Sequence, residues 1–198
     1  DPESDRIAFV KYFEEKFPDI EIAAHKDGTY ALNEEKRDQW LEMEDFPPYE
    51  FAVDDGETLF DVKFANGKGY GDCFPGGADG IKQNYPYFDV ASGQVITLEL
   101  AINNCRESNS EEPLNYLGDE MGYLTAYMAF VSRGRLFDIK VPPEGLAAYE
   151  SGKQFFYERR GQLNFACSSC HLDTAGGRLR AETLSASIGH TTHWPAYR

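Results

Sequence analysis

Cys167-Ser168-Ser169-Cys170-His171 is the stretch on which the reading of this chain turns. It has the C-x-x-C-H pattern of c-type haem attachment. Two thiols add to the two vinyl groups of a haem, and the two intervening residues set the separation of those thiols. The next residue, a histidine, then reaches the iron from the proximal side. Three other readings of the same five residues explain less. A thioredoxin-like redox pair wants a strand before it and a helix opening at the first cysteine, and Gly161–Phe165 makes a poor strand. A zinc site wants further Cys or His at paired spacing; only His190 and His193, three residues apart, are on offer. A structural disulfide leaves His171 unexplained.

Outward from the motif, apolar spacing predicts helices. Leu146–Arg160 reads as helical, with Phe155 and Phe156 placed to form one wall of a haem pocket. Tyr116–Ser132 is a stronger helix, because Leu117, Met121, Leu124, Met128 and Val131 step by four and three. A methionine on that stripe could ligate iron, but such stripes are more often core. Val95–Asn104 also reads as helical, and residues 66–93, rich in Gly, Pro, Asn and Asp, read as loops. Residues 33–45 form an acidic helix, and Phe46-Pro47-Pro48-Tyr49 and Val141-Pro142-Pro143 mark boundaries. Residues 5–17 carry Ile7, Phe9, Val10, Phe13 and Phe17 on one face, with Ser4 or Asp5 as the N-cap and Pro18 beyond the end. Residues 161–198 are loop-rich, and no strand pattern stands out. The expected fold class is mainly α.

Composition bounds the function. The 198 residues are 41% hydrophobic, enough to bury a core. With 34 acidic against 19 basic side chains the net charge is −15, which argues against a nucleic-acid-binding face. No stretch approaches the roughly 20 apolar residues of a membrane span. The charge is uneven: residues 151–198 carry 6 basic and 3 acidic side chains, a local excess on an acidic protein. That patch is either an ordinary surface imbalance or a field for an anion or an acidic partner. The segment Asp1-Pro2-Glu3-Ser4-Asp5 lacks the features of a signal peptide, which fits a processed mature chain or a trimmed one.

Cys73 and Cys105 lie outside the motif. They are either two free thiols or a mutual disulfide, and a haem protein matured outside the cytoplasm favours the disulfide. Such a bond would close a loop of about 33 residues and stabilise by about 3–4 kcal/mol in the chain-entropy model. There is also an internal echo. Gly56-x-x-Leu59-Phe60 precedes Cys73 by 17 residues, and Gly152-x-x-Phe155-Phe156 precedes Cys167 by 15. A first, cytochrome-like segment without haem would account for it. Only 27 residues follow His171, fewer than a cytochrome c domain needs for a distal ligand and a closing helix. The expectation is a piece of a longer protein, the competing one a helical bundle ending in its haem motif.

The chain resembles the SoxA family, cytochrome subunits of the SoxAX complex of bacterial thiosulfate oxidation. The resemblance runs through Phe46-Pro47-Pro48-Tyr49-Glu50, Asp72-Cys73-Phe74-Pro75 and Gln83-Asn84-Tyr85-Pro86-Tyr87-Phe88. It continues in Ala101-Ile102-Asn103-Asn104-Cys105-Arg106-Glu107 and Ala126-Tyr127-Met128-Ala129. Most specific is Arg159-Arg160-Gly161-Gln162-Leu163-Asn164-Phe165-Ala166, running into the haem motif, with Gly189–Arg198 similar to the family's segment on the far side of that motif. The resemblance implies two cytochrome c-like domains, the second incomplete here. Residues 1–45 would be an N-terminal helical extension, 46–143 a haem-free, disulfide-bonded domain, and 144–198 the truncated haem-binding domain. Cys73 and Cys105 match the haem-free type. Cys167 and Cys170 would be the thioether residues of one haem c, and His171 the proximal ligand. The family's distal ligand is a cysteine, often a persulfide, beyond Arg198, so the catalytic thiolate is not in this sequence.

By the same resemblance the activity is that of an L-cysteine S-thiosulfotransferase in the periplasm. Thiosulfate is joined oxidatively to a cysteine of a SoxYZ-type carrier, with a SoxX-type cytochrome as partner. Arg159, Arg160, Arg178, Arg180 and Arg198 could supply a field for the anion, although propionate partners or plain surface charges are the commoner roles. His190 and His193 could touch haem or substrate, or serve as structural hydrogen-bonders. The alternative function is a non-catalytic c-type cytochrome, an electron carrier or structural subunit that has lost the cysteine ligand.

Overall fold

The structure, a computed structural model, describes residues 1–137 and 139–188. In chain order its helices are α1 (Pro2–Lys16), α2 (Glu34–Met43), α3 (Glu50–Asp61), the single turn α4 (Tyr70–Cys73), α5 (Leu98–Ser108), α6 (Asp119–Phe130) and α7 (Leu146–Tyr157). Two antiparallel hairpins accompany them, β1 (Tyr87–Asp89) with β2 (Gln94–Ile96) and β3 (Arg178–Leu179) with β4 (Glu182–Thr183). The expected mainly helical class holds. The hairpins escape an alternation pattern because strands of two or three residues are too short to show one. The chain divides into two compact units, residues 46–140 and residues 1–45 with 141–188.

Residues 46–140 form the larger core. Phe60, Phe64, Tyr70, Phe74, Leu98, Ile102, Met121, Leu124 and Met128 are buried together. The methionine stripe of α6 is therefore core. Helix α6 begins three residues later than its apolar stripe suggests, because Asn115 and Gly118 close a turn ahead of it. Helices α3 and α6 cross at Gly56, where a Cβ would lie 2.1 Å from the Tyr123 carbonyl oxygen. Only a residue without a side chain permits that approach. Helix α5 begins at Leu98, not Val95, because the Thr97 hydroxyl caps it by accepting the Leu100 N–H at 3.2 Å, and Val95 pairs in β2. Buried Asn103 clamps the backbone of Leu114 in both directions, at 3.1 and 2.8 Å. Cys73, ending α4, and Cys105, on α5, form a disulfide with 5.8 Å between their Cα atoms.

The other unit is built on α1. Its N-cap is Asp1, not Ser4 or Asp5: the Asp1 carboxylate accepts the Ser4 N–H at 3.2 Å, and Pro2 takes the first turn, where a missing N–H costs nothing. Phe9, Phe13 and Phe17, four apart, form the buried stripe over Ala175 and Ala186, while Ile7 faces solvent. The segment Ile22–Ala31, a kinked 3₁₀ stretch, packs His25 against the rings of both Phe13 and Phe17. Among the described residues neither His25 ring nitrogen has a hydrogen-bond partner, and burial lowers its pKa. The buried carboxylate of Asp27 is answered by Arg37 of α2 at 2.7 Å. Residues 1–45 thus pack with the motif segment as one body.

Candidate haem site

The approach to the motif is a backbone turn. Helix α7 ends at Tyr157, and the Arg160 N–H donates to the Phe165 carbonyl at 3.0 Å, closing the intervening loop. Gly161 (φ 69°) and Asn164 (φ 51°) supply its left-handed corners, which glycine and asparagine tolerate best. Ser169 then starts the motif turn: its hydroxyl accepts the Ala166 N–H at 3.1 Å, while its own N–H donates to the Ala166 carbonyl. Residues Ser169–Asp173 wind as a π-turn, with the Thr174 N–H reaching back five residues to Ser169. Single π-turns are rare and recur at functional sites.

Cys167, Cys170 and His171 stand together on this turn. Both cysteines are free thiols, Cys167 exposed and Cys170 half-buried. His171 is exposed, and its Nδ1 lies 3.1 Å from the Ser185 carbonyl oxygen and 3.1 Å from the Ser185 hydroxyl. A carbonyl only accepts, so a neutral His171 bonded to it carries its proton on Nδ1 and keeps the lone pair on Nε2. That is the tautomer a metal-ligating histidine needs, fixed by a partner on its other nitrogen. The His171 carbonyl in turn accepts from the Ser187 N–H at 2.9 Å and the Ser187 hydroxyl at 3.0 Å. Residues 185–187 therefore strap both ends of His171. Two unpaired thiols at this spacing, with an imidazole whose free nitrogen is a base, form a donor set that fits a covalent haem.

Helix α1 braces the same turn from beneath. Lys16 donates to the carbonyls of Leu172 and Asp173 at 2.8 and 2.6 Å, and the Tyr12 hydroxyl donates to Leu172 at 3.1 Å. A lysine at the exposed carbonyls ending a helical turn is favourable in charge and hydrogen bonding alike. Asp5 of α1 accepts from Lys153 at 2.8 Å and Tyr149 at 2.9 Å on α7. These bonds, Lys153 first, hold the Asp5 carboxyl below its ordinary range. The Tyr149 phenol is pushed up to about 12, by burial first and then by Asp5, so it stays a donor.

The other residues singled out in the sequence fall variously. Phe155 is exposed, but Phe156 packs on Phe9 with ring centroids 6.2 Å apart, so only Phe155 is open to line a haem. Arg160 lies over the Phe155 ring, donates to the Phe155 carbonyl at 2.7 Å and meets Glu158 at 3.3 Å. It is tied down as a structural residue. Arg159, Arg178 and Arg180 are exposed with no ion pair among the described residues. His190, His193 and Arg198 lie outside the described residues. Lys16, Tyr12, Ser185 and Ser187 had no sequence signal, since each acts on or through a backbone carbonyl 14 to 160 residues away.

Comparison with known proteins gives the family of the chain. A family model described as the SoxA/TsdA cytochrome c domain matches residues 55–137. The chain carries a cytochrome c domain. It is 50% identical over 200 residues to the L-cysteine S-thiosulfotransferase subunit SoxA of Allochromatium vinosum, covering 100% of this chain and 71% of that protein. The protein of the same name from Chlorobaculum tepidum is 47% identical over 99% of this chain and 68% of its own length. A solved structure described as SoxXA from P. pantotrophus aligns with a TM-score of 0.64 at 28% identity, over 71% of this chain. The chain spans 55% of that solved chain. The chain belongs to the SoxA family of L-cysteine S-thiosulfotransferase subunits.

Proposed function

We propose that this chain is the haem-bearing subunit of an L-cysteine S-thiosulfotransferase of the SoxAX type, acting in the periplasm with a SoxX-type cytochrome. It would act on thiosulfate and a SoxYZ-type carrier. In the overall step, a carrier thiolate and thiosulfate form one S–S bond, giving a carrier-bound S-thiosulfonate and two electrons. One haem c, when bound, supplies one-electron redox chemistry and passes those electrons on.

The residues of this chain have defined tasks in it. Cys167 and Cys170 hold the haem through thioethers. His171 ligates the iron through Nε2 while Ser185 holds the proton on Nδ1. Exposed Phe155, Leu163 and Phe165 offer the apolar contact that a buried macrocycle requires. Arg159, Arg178 and Arg180 favour an anionic substrate at long range. We read residues 46–143 as a cytochrome c-like domain held by its disulfide in place of a haem, and 144–198, braced by 1–45, as the haem domain. No described helix is long and apolar enough to cross a membrane, and a disulfide beside a c-type motif suits an oxidising compartment.

The observation that carries the reading is His171, presented with free Nε2 beside two unpaired thiols, in a chain half identical to a SoxA subunit. The test is the mass of the proteolytic peptide spanning residues 161–178 after expression with cytochrome c maturation. The expected result is a peptide carrying one covalent haem. An unmodified peptide with two alkylatable thiols overturns the assignment. For catalysis, the spectrum of the full subunit in its SoxX complex decides: low-spin thiolate ligation supports it, and high-spin or His/Met ligation favours the plain electron carrier.

A further inference from the structure

Within residues 46–140 a cavity of about 380 Å³ opens against the Cys73–Cys105 disulfide. That volume lies within the range of small-ligand sites, about 300–1,000 Å³. Phe74, Tyr85 and Tyr87 form its aromatic walls, and the two tyrosine rings stand 5.5 Å apart with their planes at 60°. Asp89 is the one charged residue of the lining among the described residues. Its carboxylate accepts the Ser92 N–H at 2.9 Å. Hydrogen bonds from Ser92 hold Asp89 below the usual carboxylate range, so it is ionised at neutral pH. Among the described residues Asp89 has no ion-pair partner, and neither tyrosine hydroxyl has a hydrogen-bond partner.

The lining discriminates by charge. An anion such as thiosulfate would meet an ionised carboxylate with no cation beside it. A neutral apolar molecule would gain the ring contacts but leave Asp89 unanswered. A cation gains both, because aromatic faces attract positive charge within about 6 Å and the carboxylate adds its own. We propose that this cavity binds a compact alkylammonium cation, with Tyr85 and Tyr87 as its aromatic faces and Asp89 as its counter-charge. The site is separate from the haem motif in sequence and in chemistry. The ammonium group has two natural sources, a free quaternary ammonium solute or a lysine side chain.

The test is calorimetric titration of the full haem-loaded chain with choline, with butylammonium, and with 3,3-dimethylbutan-1-ol, which matches the shape of choline without its charge. A cation–π contact plus a carboxylate predicts that choline or butylammonium binds at least about 10-fold more tightly than the neutral isostere. Asp89→Asn, which keeps the acceptor for Ser92, should weaken cation binding about 5- to 10-fold and leave binding of the isostere unchanged. Tyr87→Leu should weaken the cation more than the isostere. Tighter choline assigns a free quaternary ammonium; tighter butylammonium assigns a lysine side chain. Equal binding of cation and isostere, no binding of either, or cation binding indifferent to Asp89→Asn at unchanged Tm overturns the proposal.

Discussion

The two units start from the same short script, a helix carrying Gly-x-x-Leu/Phe-Phe and a cysteine 15 to 17 residues after the glycine. They finish it differently. In residues 46–140 the glycine face of α3 lies under α6, Phe60 is 8% exposed and Phe64 6%, and the cysteines are oxidised to each other. In the motif unit a Cβ on Gly152 of α7 meets nothing within 4 Å, Phe155 is 56% exposed and Leu163 76%, and the cysteines are free thiols. One unit covers the glycine face and the phenylalanines that follow it, and pairs its sulfur internally. The other leaves its glycine face open and its cysteines unpaired, beside a histidine held in the metal-binding tautomer. The difference teaches that the same sequence string becomes a closed scaffold or an open site according to whether a second helix covers the glycine face.

The largest expected effect separates the units chemically. Cys167→Ala with Cys170→Ala should abolish covalent haem while the Cys73–Cys105 disulfide survives, read by haem staining and by thiol alkylation of the same sample. A stain that persisted would mean the haem is attached elsewhere. Next, Cys73→Ala with Cys105→Ala should cost about 3–4 kcal/mol of stability from the closed loop of 32 positions, measured by urea melts. Haem attachment should be unaffected.

The glycine comparison can be sharpened directly. Gly56→Val drives a side chain into the Tyr123 backbone and should cost about 3 kcal/mol. Gly152→Ala on the open face of α7 should instead stabilise by about 0.5–1 kcal/mol through helix propensity alone. Equal destabilisation by both would show that the α7 face is covered too.

A smaller effect comes from His25. Burial lowers its folded pKa below the ordinary value of 6.5, so near and below pH 6.5 the unfolded chain binds the proton more readily. Stability present above pH 6.5 is therefore lost as pH falls from there toward the folded pKa, by at most about 1.4 kcal/mol per pH unit for one proton. His25→Phe should flatten that part of the stability curve. An unchanged slope would remove His25 as its source.

How much of this was legible in the sequence depended on distance along the chain. Helices α1, α5, α6 and α7 were readable as apolar helical stretches and α2 as an acidic one, with end errors where a cap competed: Asp1 for α1, Thr97 for α5. Helix α3 was not read, because Glu50, Asp54, Asp55, Glu57 and Asp61 make it look like surface and Gly56 interrupts it. Its reason for being helical is α6, nearly seventy residues away. The motif was plain because five adjacent residues carry the chemistry. What orients it was not, because Lys16, Tyr12, Ser185 and Ser187 act on or through backbone groups, which leave no mark in a residue pattern. The cavity over the disulfide was hidden for another reason: Tyr85, Asp89 and Asn104 are ordinary loop and helix residues until the fold gathers them.

The contrast between a unit with paired cysteines and one with cysteines open to haem is tested most directly by the intact mass of the fully matured chain, before and after reduction. The account predicts a polypeptide carrying one haem that gains two protons on reduction, with no thiol alkylated beforehand. A mass without haem, or a haem-bearing chain that gains nothing on reduction and already alkylates at Cys73 and Cys105, would contradict it.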